Sequence, residues 1–209
     1  MEAQAVSELR EQETARDQPA GGADREVADA VRKARGQWRD EVWRRDPATG
    51  EVRLVEADDW DPNLIVSTFT NLLAGLLANE GTFLGGILQH AQGSGDSSWD
   101  VQLPNPSFDQ TTLVAEYFRK APDSITFVDE NGDPVAAGVI TNSILIRTDY
   151  DFDEANGPGG TGEFIREQGL FGGTATGAAD SGLMVNAINH KARFKDDTVK
   201  IIRFIQLIF

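Results

Sequence analysis

Apolar residues fall on both faces of the chain's last stretch. Across residues 198–209, Val199, Ile201, Ile205, Leu207 and Phe209 lie on one face of an extended chain, and Ile202, Phe204 and Ile208 on the other. A strand wetted on one side alternates cleanly, so this pattern predicts a long strand covered on both sides. Shorter period-two segments lie upstream at 83–89, 112–120, 124–129, 135–149, 163–170 and 182–188, separated by Gly, Pro, Asp and Ser. Asn131-Gly132 marks a tight hairpin. Residues 41–56 read as a second hairpin around Asp46-Pro47-Ala48-Thr49-Gly50, with turn formers at both ends.

Helical spacing appears twice. Asp24 is placed to cap a short helix through Ala34 with a narrow stripe of Val27, Ala30, Val31 and Ala34. Asp61 followed by Pro62 predicts a second helix reaching residue 79, with Leu64, Ile65, Leu72, Leu73, Leu76 and Leu77 on its apolar face. Residues 1–22 are charged and end in Pro19-Ala20-Gly21-Gly22, which reads as a flexible arm or a fragile helix. The expected fold is mainly β: a β-sandwich or jelly-roll-like domain with one amphipathic helix over residues 61–209. An N-terminal helical arm and β-hairpin over residues 1–60 precede it as an attachment region.

Composition narrows the function. The chain has 209 residues with 34 acidic against 19 basic side chains, a net charge of −15. Such a surface argues against binding nucleic acid through its phosphates. Only five of the basic residues are lysine. Acid-rich, lysine-poor composition fits a halophilic source, where hydrated carboxylates keep a protein soluble, and equally a GC-rich genome. The absence of cysteine excludes disulfides and thiolate chemistry. No run reaches the ~18 apolar residues that cross a bilayer. The first residues are acidic and polar, unlike a signal peptide, so the expected place of synthesis is a cytoplasm.

Ordered blocks of residues carry a family resemblance. They begin with Asn63-Leu64-Ile65-Val66 and Asn71-Leu72-Leu73-Ala74. Gly86-Ile87-Leu88-Gln89-His90-Ala91-Gln92-Gly93-Ser94-Gly95 follows, then Leu113-Val114-Ala115-Glu116 with Arg119-Lys120. Next is Glu163-Phe164-Ile165-Arg166-Glu167-Gln168-Gly169-Leu170-Phe171, the most specific block, and last the run Gly182 to Lys191 with the terminal strand. Together they span residues 63–209, about 70% of the chain. In this order the blocks resemble tailed-virus structural proteins of tail fibres, baseplates and collars. Asn186 stands where that pattern has Arg, and the loop 151–162 is long and acidic. The resemblance implies a non-enzymatic virion protein, assembled in the host cytoplasm as a trimer or ring of its own copies. Other virion proteins would be bound through the N-terminal region. A receptor- or glycan-binding tip, and a capsid decoration or turret, are the alternative roles.

Candidate chemistry is sparse. Asp149, Asp151 and Asp153 alternate along one edge and read either as ligands of a structural Ca²⁺ or Mg²⁺ or as a solvated acidic loop. His90 and His190 stand 100 residues apart, without zinc spacing and outside any nucleophile elbow. Trp38, Trp43 and Trp60, with Ile202, Phe204 and Ile208, are the expected core or partner-facing positions. Loops at 92–100, 150–162 and 172–181 are the expected recognition surface, with Trp99 the aromatic placed to meet a glycan or host surface receptor. Gly157 to Gly162 lacks the lysine and helix of a phosphate loop and reads as a mobile tip.

Overall fold

The computed structural model describes residues 34–78, 85–129 and 131–209. Ten strands form one antiparallel sheet: β1 Arg35–Arg45, β2 Val52–Ala57, β3 Asp61–Ile65, β4 Gly85–Gly93, β5 Glu116–Lys120, β6 Ser124–Phe127, β7 Ser143–Tyr150, β8 Glu163–Gly173, β9 Leu183–Lys195 and β10 Val199–Ile208. The order is β5-β4-β8-β9-β3-β1-β10-β7-β6, with β2 beside β1. The sheet curls so that its halves face each other as a sandwich. Trp38, Ile146, Ile205 and Leu207 of one half meet Leu170, Val185 and Ile188 of the other. Helix α1, Thr68–Leu77, inserts Phe69 and Leu72 into the same cluster, and Phe69 stacks on Phe209 at 5.6 Å.

The terminal strand β10 is central, paired with β1 along ten residues and with β7 on its other side. Its inner face, Val199, Ile201, Arg203, Ile205 and Leu207, is fully buried. On the outer face Gln206 is fully buried, Ile202 keeps 9% exposure, and Phe204 and Ile208 are half-buried. β10 is thus partly covered on its second face, and the strand covered most fully on both sides is β8, buried from Ile165 to Gly173. Its second face packs Phe171 with Ala91, Met184 and Ala187 under Leu113. The irregular segment 101–115 is tied across that face, with Asn189 donating to the Pro104 carbonyl and the Val114 and Ala115 amides donating to Glu167.

Three expectations are corrected. Asp61-Pro62 opens strand β3, not a helix; Pro62 sits opposite Gln37 while Leu64 and Ile65 pair with Ala187 and Asn186. Proline lacks the N–H that both a helix start and a strand start can spare, so tertiary pairing decides. The helix begins seven residues after Asp61, at Thr68. The segment 135–149 is strand only from Ser143, because the chain turns at Gly138, whose φ is +84°. The boundary near residue 60 is absent: β1 lies mid-sheet, and Ala34–Phe209 forms one unit. The expected arm and the 24–34 helix lie outside the described residues, Ala34 apart.

Two turns are as expected. The Asp46 carboxylate accepts from the Ala48 and Thr49 amides, and Gly50 takes φ +75°. Gly132 takes φ +85° while Asp129 accepts from the Asn131 and Asp133 amides.

Candidate functional site

Strand alternation carries a row of polar residues into the sandwich. Asp40, Arg203 and Thr148 sit directly opposite one another on β1, β10 and β7, and all three are fully buried. Arg203 binds Asp40 through Nε and Nη2, and Arg193 reaches the same carboxylate. Burial pushes the Asp40 carboxyl up, but Arg203 and Arg193 outweigh it and hold it low. The outer arm of Arg193 pairs with Glu56 at 3.1 Å and Asp58 at 3.0 Å, so the buried pair opens to solvent through an ionic rim.

Facing this row are both histidines. His90 Nδ1 lies 2.9 Å from the Thr148 hydroxyl and Nε2 2.9 Å from Gln168 Oε1, an arrangement that fits a neutral ring protonated on Nε2. His190 Nδ1 donates to the Lys191 carbonyl at 2.8 Å and Nε2 faces Arg203 at 3.5 Å, a neutral ring protonated on Nδ1. Desolvation, then the Arg203 charge, lowers both to about 3. Both rings have their nitrogens engaged inside the core, away from any cleft. Their chemistry is that of neutral connectors.

The expected aromatic positions separate. Trp38 takes the core place among the two expected for it, 5.3 Å from the His190 ring. Trp43, Trp60, Ile202, Phe204 and Ile208 share the outer side. There the Arg39 guanidinium lies 4.6 Å from the Phe204 ring and 5.2 Å from Trp60, shielding part of their apolar area. Trp99 stands in a 3₁₀ turn, Ser97–Asp100, with its ring against Gly95, where an added Cβ would come within 2.7 Å. Arg166 clamps that turn by a bidentate pair with Asp100 at 2.8–2.9 Å.

The three aspartates do not converge. Lys200 Nζ pairs with Asp149 at 3.0 Å and Asp151 at 2.8 Å, Arg147 takes Asp149 at 2.7 Å, and Asp153 lines a separate cleft. Among the described residues no group of three His, Cys, Asp or Glu is arranged to hold a metal ion. A lysine between the carboxylates supplies the positive charge a cation would bring.

The loop 151–162 is pinned at residues 154–156, just ahead of the Gly157–Gly162 tip. Lys120 Nζ holds Glu154 at 2.8 Å, the Tyr117 hydroxyl donates to the Ala155 carbonyl at 3.3 Å, and Lys195 Nζ donates to Asn156 Oδ1 at 2.7 Å. Ala155 is buried at φ +53°, a left-handed backbone that costs a non-glycine residue energy and that these contacts impose. A cleft of about 420 Å³ opens beside it, lined by Tyr117, Phe118, Asp153, Asn156 and Pro158. The loop after β8 is fastened likewise, Arg119 donating to the Thr176 and Ser181 carbonyls.

Sequence reasoning missed Asp40, Arg193, Arg203, Lys195 and Asn156. The available signal was a charge on the apolar face of a strand: Asp40 between Trp38 and Val42, Arg203 between Ile201 and Ile205. The blocks behind the resemblance have structural work here. Glu116 pairs with Arg119, Arg166 with Asp100, and Leu170 and Phe171 fill two separate clusters. In comparisons with known proteins, the chain matches no family model, no curated protein and no solved structure.

Proposed function

We propose that the chain is a non-enzymatic structural protein that works as an assembly of its own copies, in a virion role of the kind the resemblance to tail, baseplate and collar proteins implies. The observation that carries this reading is β2. Among the described residues it pairs only with β1, all six of its residues are exposed, and Val52, Leu54 and Val55 each keep 44% exposure. An apolar edge is a template for another strand, and natural sheets usually blunt one with proline, lysine or a bulge; β2 has neither proline nor lysine, and its one irregularity is at Val55, where the pairing passes from Glu56 to Leu54. A second copy is the favoured occupant because the strand is self-complementary. Set antiparallel with Val52 opposite its symmetry mate, Glu51 faces Arg53 of the other copy twice, which relieves repulsion between two strongly acidic chains. The half-buried Trp43, beside Leu54 in the β1–β2 register, extends the surface.

Light scattering coupled to size exclusion at micromolar concentration, in low and high salt, tests this. The expected outcome is an oligomer that Val52→Lys with Leu54→Lys reduces to monomer without lowering the melting temperature. A wild-type monomer in both salts would overturn the reading.

A further inference from the structure

We propose that Lys195 and Asn156 form an intramolecular isopeptide bond, with Lys195 Nζ joined to Asn156 Cγ and ammonia released. The side chains are already in contact, Nζ 2.7 Å from Oδ1. Lys195 is fully buried at the end of β9, and its other hydrogen bond goes to the Asp196 carbonyl at 3.0 Å. Asn156 is held rigidly: Nδ2 donates to the Phe152 carbonyl at 2.8 Å, and its own carbonyl accepts from Gly162 at 2.9 Å. The left-handed turn at Ala155 presents this amide to the lysine.

The energetics point the same way. A buried ammonium held only by neutral acceptors is costly. No carboxylate among the described residues forms an ion pair with it. Desolvation lowers Lys195 to about 8, against the opposing pull of Asp196, Glu154, Asp153 and Asp151, so about a tenth is free amine at pH 7 and about half at pH 8. Amide formation removes the buried charge altogether.

The step balances without a co-reactant. Nζ attacks Cγ, the Cγ–Nδ2 bond breaks, one proton passes from Nζ to Nδ2, and ammonia leaves through the cleft that Asn156 lines. Of the four carboxylates acting on Lys195, Glu154 is held by Lys120, Asp151 by Lys200 and Asp196 by Thr198. The remaining one, Asp153, is exposed, forms no ion pair among the described residues and lines the same cleft. The product would tie the acidic loop to the sheet across 39 residues of chain.

Intact-mass measurement of denatured full-length protein, after incubation at pH 8, tests the proposal. The expected mass is below the sequence mass by one ammonia, about 17 Da. Proteolytic mapping should join the peptides carrying Asn156 and Lys195. Asn156 precedes Gly157, and a succinimide there would give the same mass. Hydroxylamine cleaves a succinimide and leaves an isopeptide intact, and Lys195→Arg abolishes the deficit only for the isopeptide. Asn156→Asp, a smaller perturbation, should lose water instead and still cross-link. Full mass in the wild type, or a deficit that survives Lys195→Arg, would overturn the proposal.

Discussion

Arg203 on β10 lies directly opposite Asp40 on β1, and the two make a bidentate ion pair with no exposure on either side chain. Removing one partner strands the other in the core, whereas an apolar pair of similar volume avoids the desolvation cost. Asp40→Ala is therefore expected to lower unfolding free energy by about 3–5 kcal/mol, read from denaturant midpoints. Asp40→Leu combined with Arg203→Met should recover most of that loss, less what Arg193 forfeits. A single substitution costing under about 1 kcal/mol would mean that the pair is hydrated.

Acid should unfold the protein through its histidines. Both have folded values near 3 against an ordinary 6.5, so the folded state favours the neutral rings. Their contribution is fully present above 6.5, and below it the unfolded chain binds protons that the fold refuses. Stability should then fall with pH through the window from 6.5 toward 3, by up to about 1.4 kcal/mol per pH unit for each ring. Denaturant titrations at pH 8, 6, 5 and 4 measure the slope, and His90→Gln should reduce it by up to half. Asp40, held below its ordinary carboxylate value, adds a further loss at the acid end of that window.

Two glycines resist a side chain for different reasons, one for packing and one for its backbone conformation. A Cβ at Gly172 would sit 2.1 Å from the Gly86 carbonyl oxygen and 2.8 Å from Leu72, and neither backbone nor helix can yield cheaply. Gly172→Ala should cost about 1–3 kcal/mol. At Gly50 nothing stands within 4 Å, and the penalty for alanine is the backbone alone, φ +75°, about 1 kcal/mol. Thermal melts of the two variants should show that difference.

Calcium or magnesium at millimolar concentration should leave the melting temperature unchanged, because Lys200 already neutralises Asp149 and Asp151. Lys200→Met is expected to cost about 1 kcal/mol or less, since the pair is partly solvated. It should also create a melting temperature that rises with added Ca²⁺. A wild-type shift with Ca²⁺ would return the aspartates to a metal site.

Much of the fold was legible because strand periodicity and turn chemistry are local. The Asp46–Gly50 and Asn131-Gly132 turns follow from side chains that bond their own backbone and from glycines that accept positive φ. The strands of the C-terminal half were readable, although β8 and β9 run further than their apolar segments, because glycines and polar residues continue the pairing. β3 was not readable: Asp61-Pro62 satisfies the opening of a helix as well as that of a strand, and only β1 and β9 on either side select the strand.

By itself, the chain determined its class and its face pattern. Period-two apolar segments must bury one side, and the absence of cysteine leaves packing and hydrogen bonds to hold them together. Only the tertiary structure decided which strand is covered most fully on both faces, β8 more than β10, and which charges enter the core. Asp40 meets Arg203, and Lys195 meets Asn156, across separations of 163 and 39 residues. No local propensity encodes such a meeting. A charged residue inside is tolerable only where folding delivers its partner, and sheet order and register make that delivery.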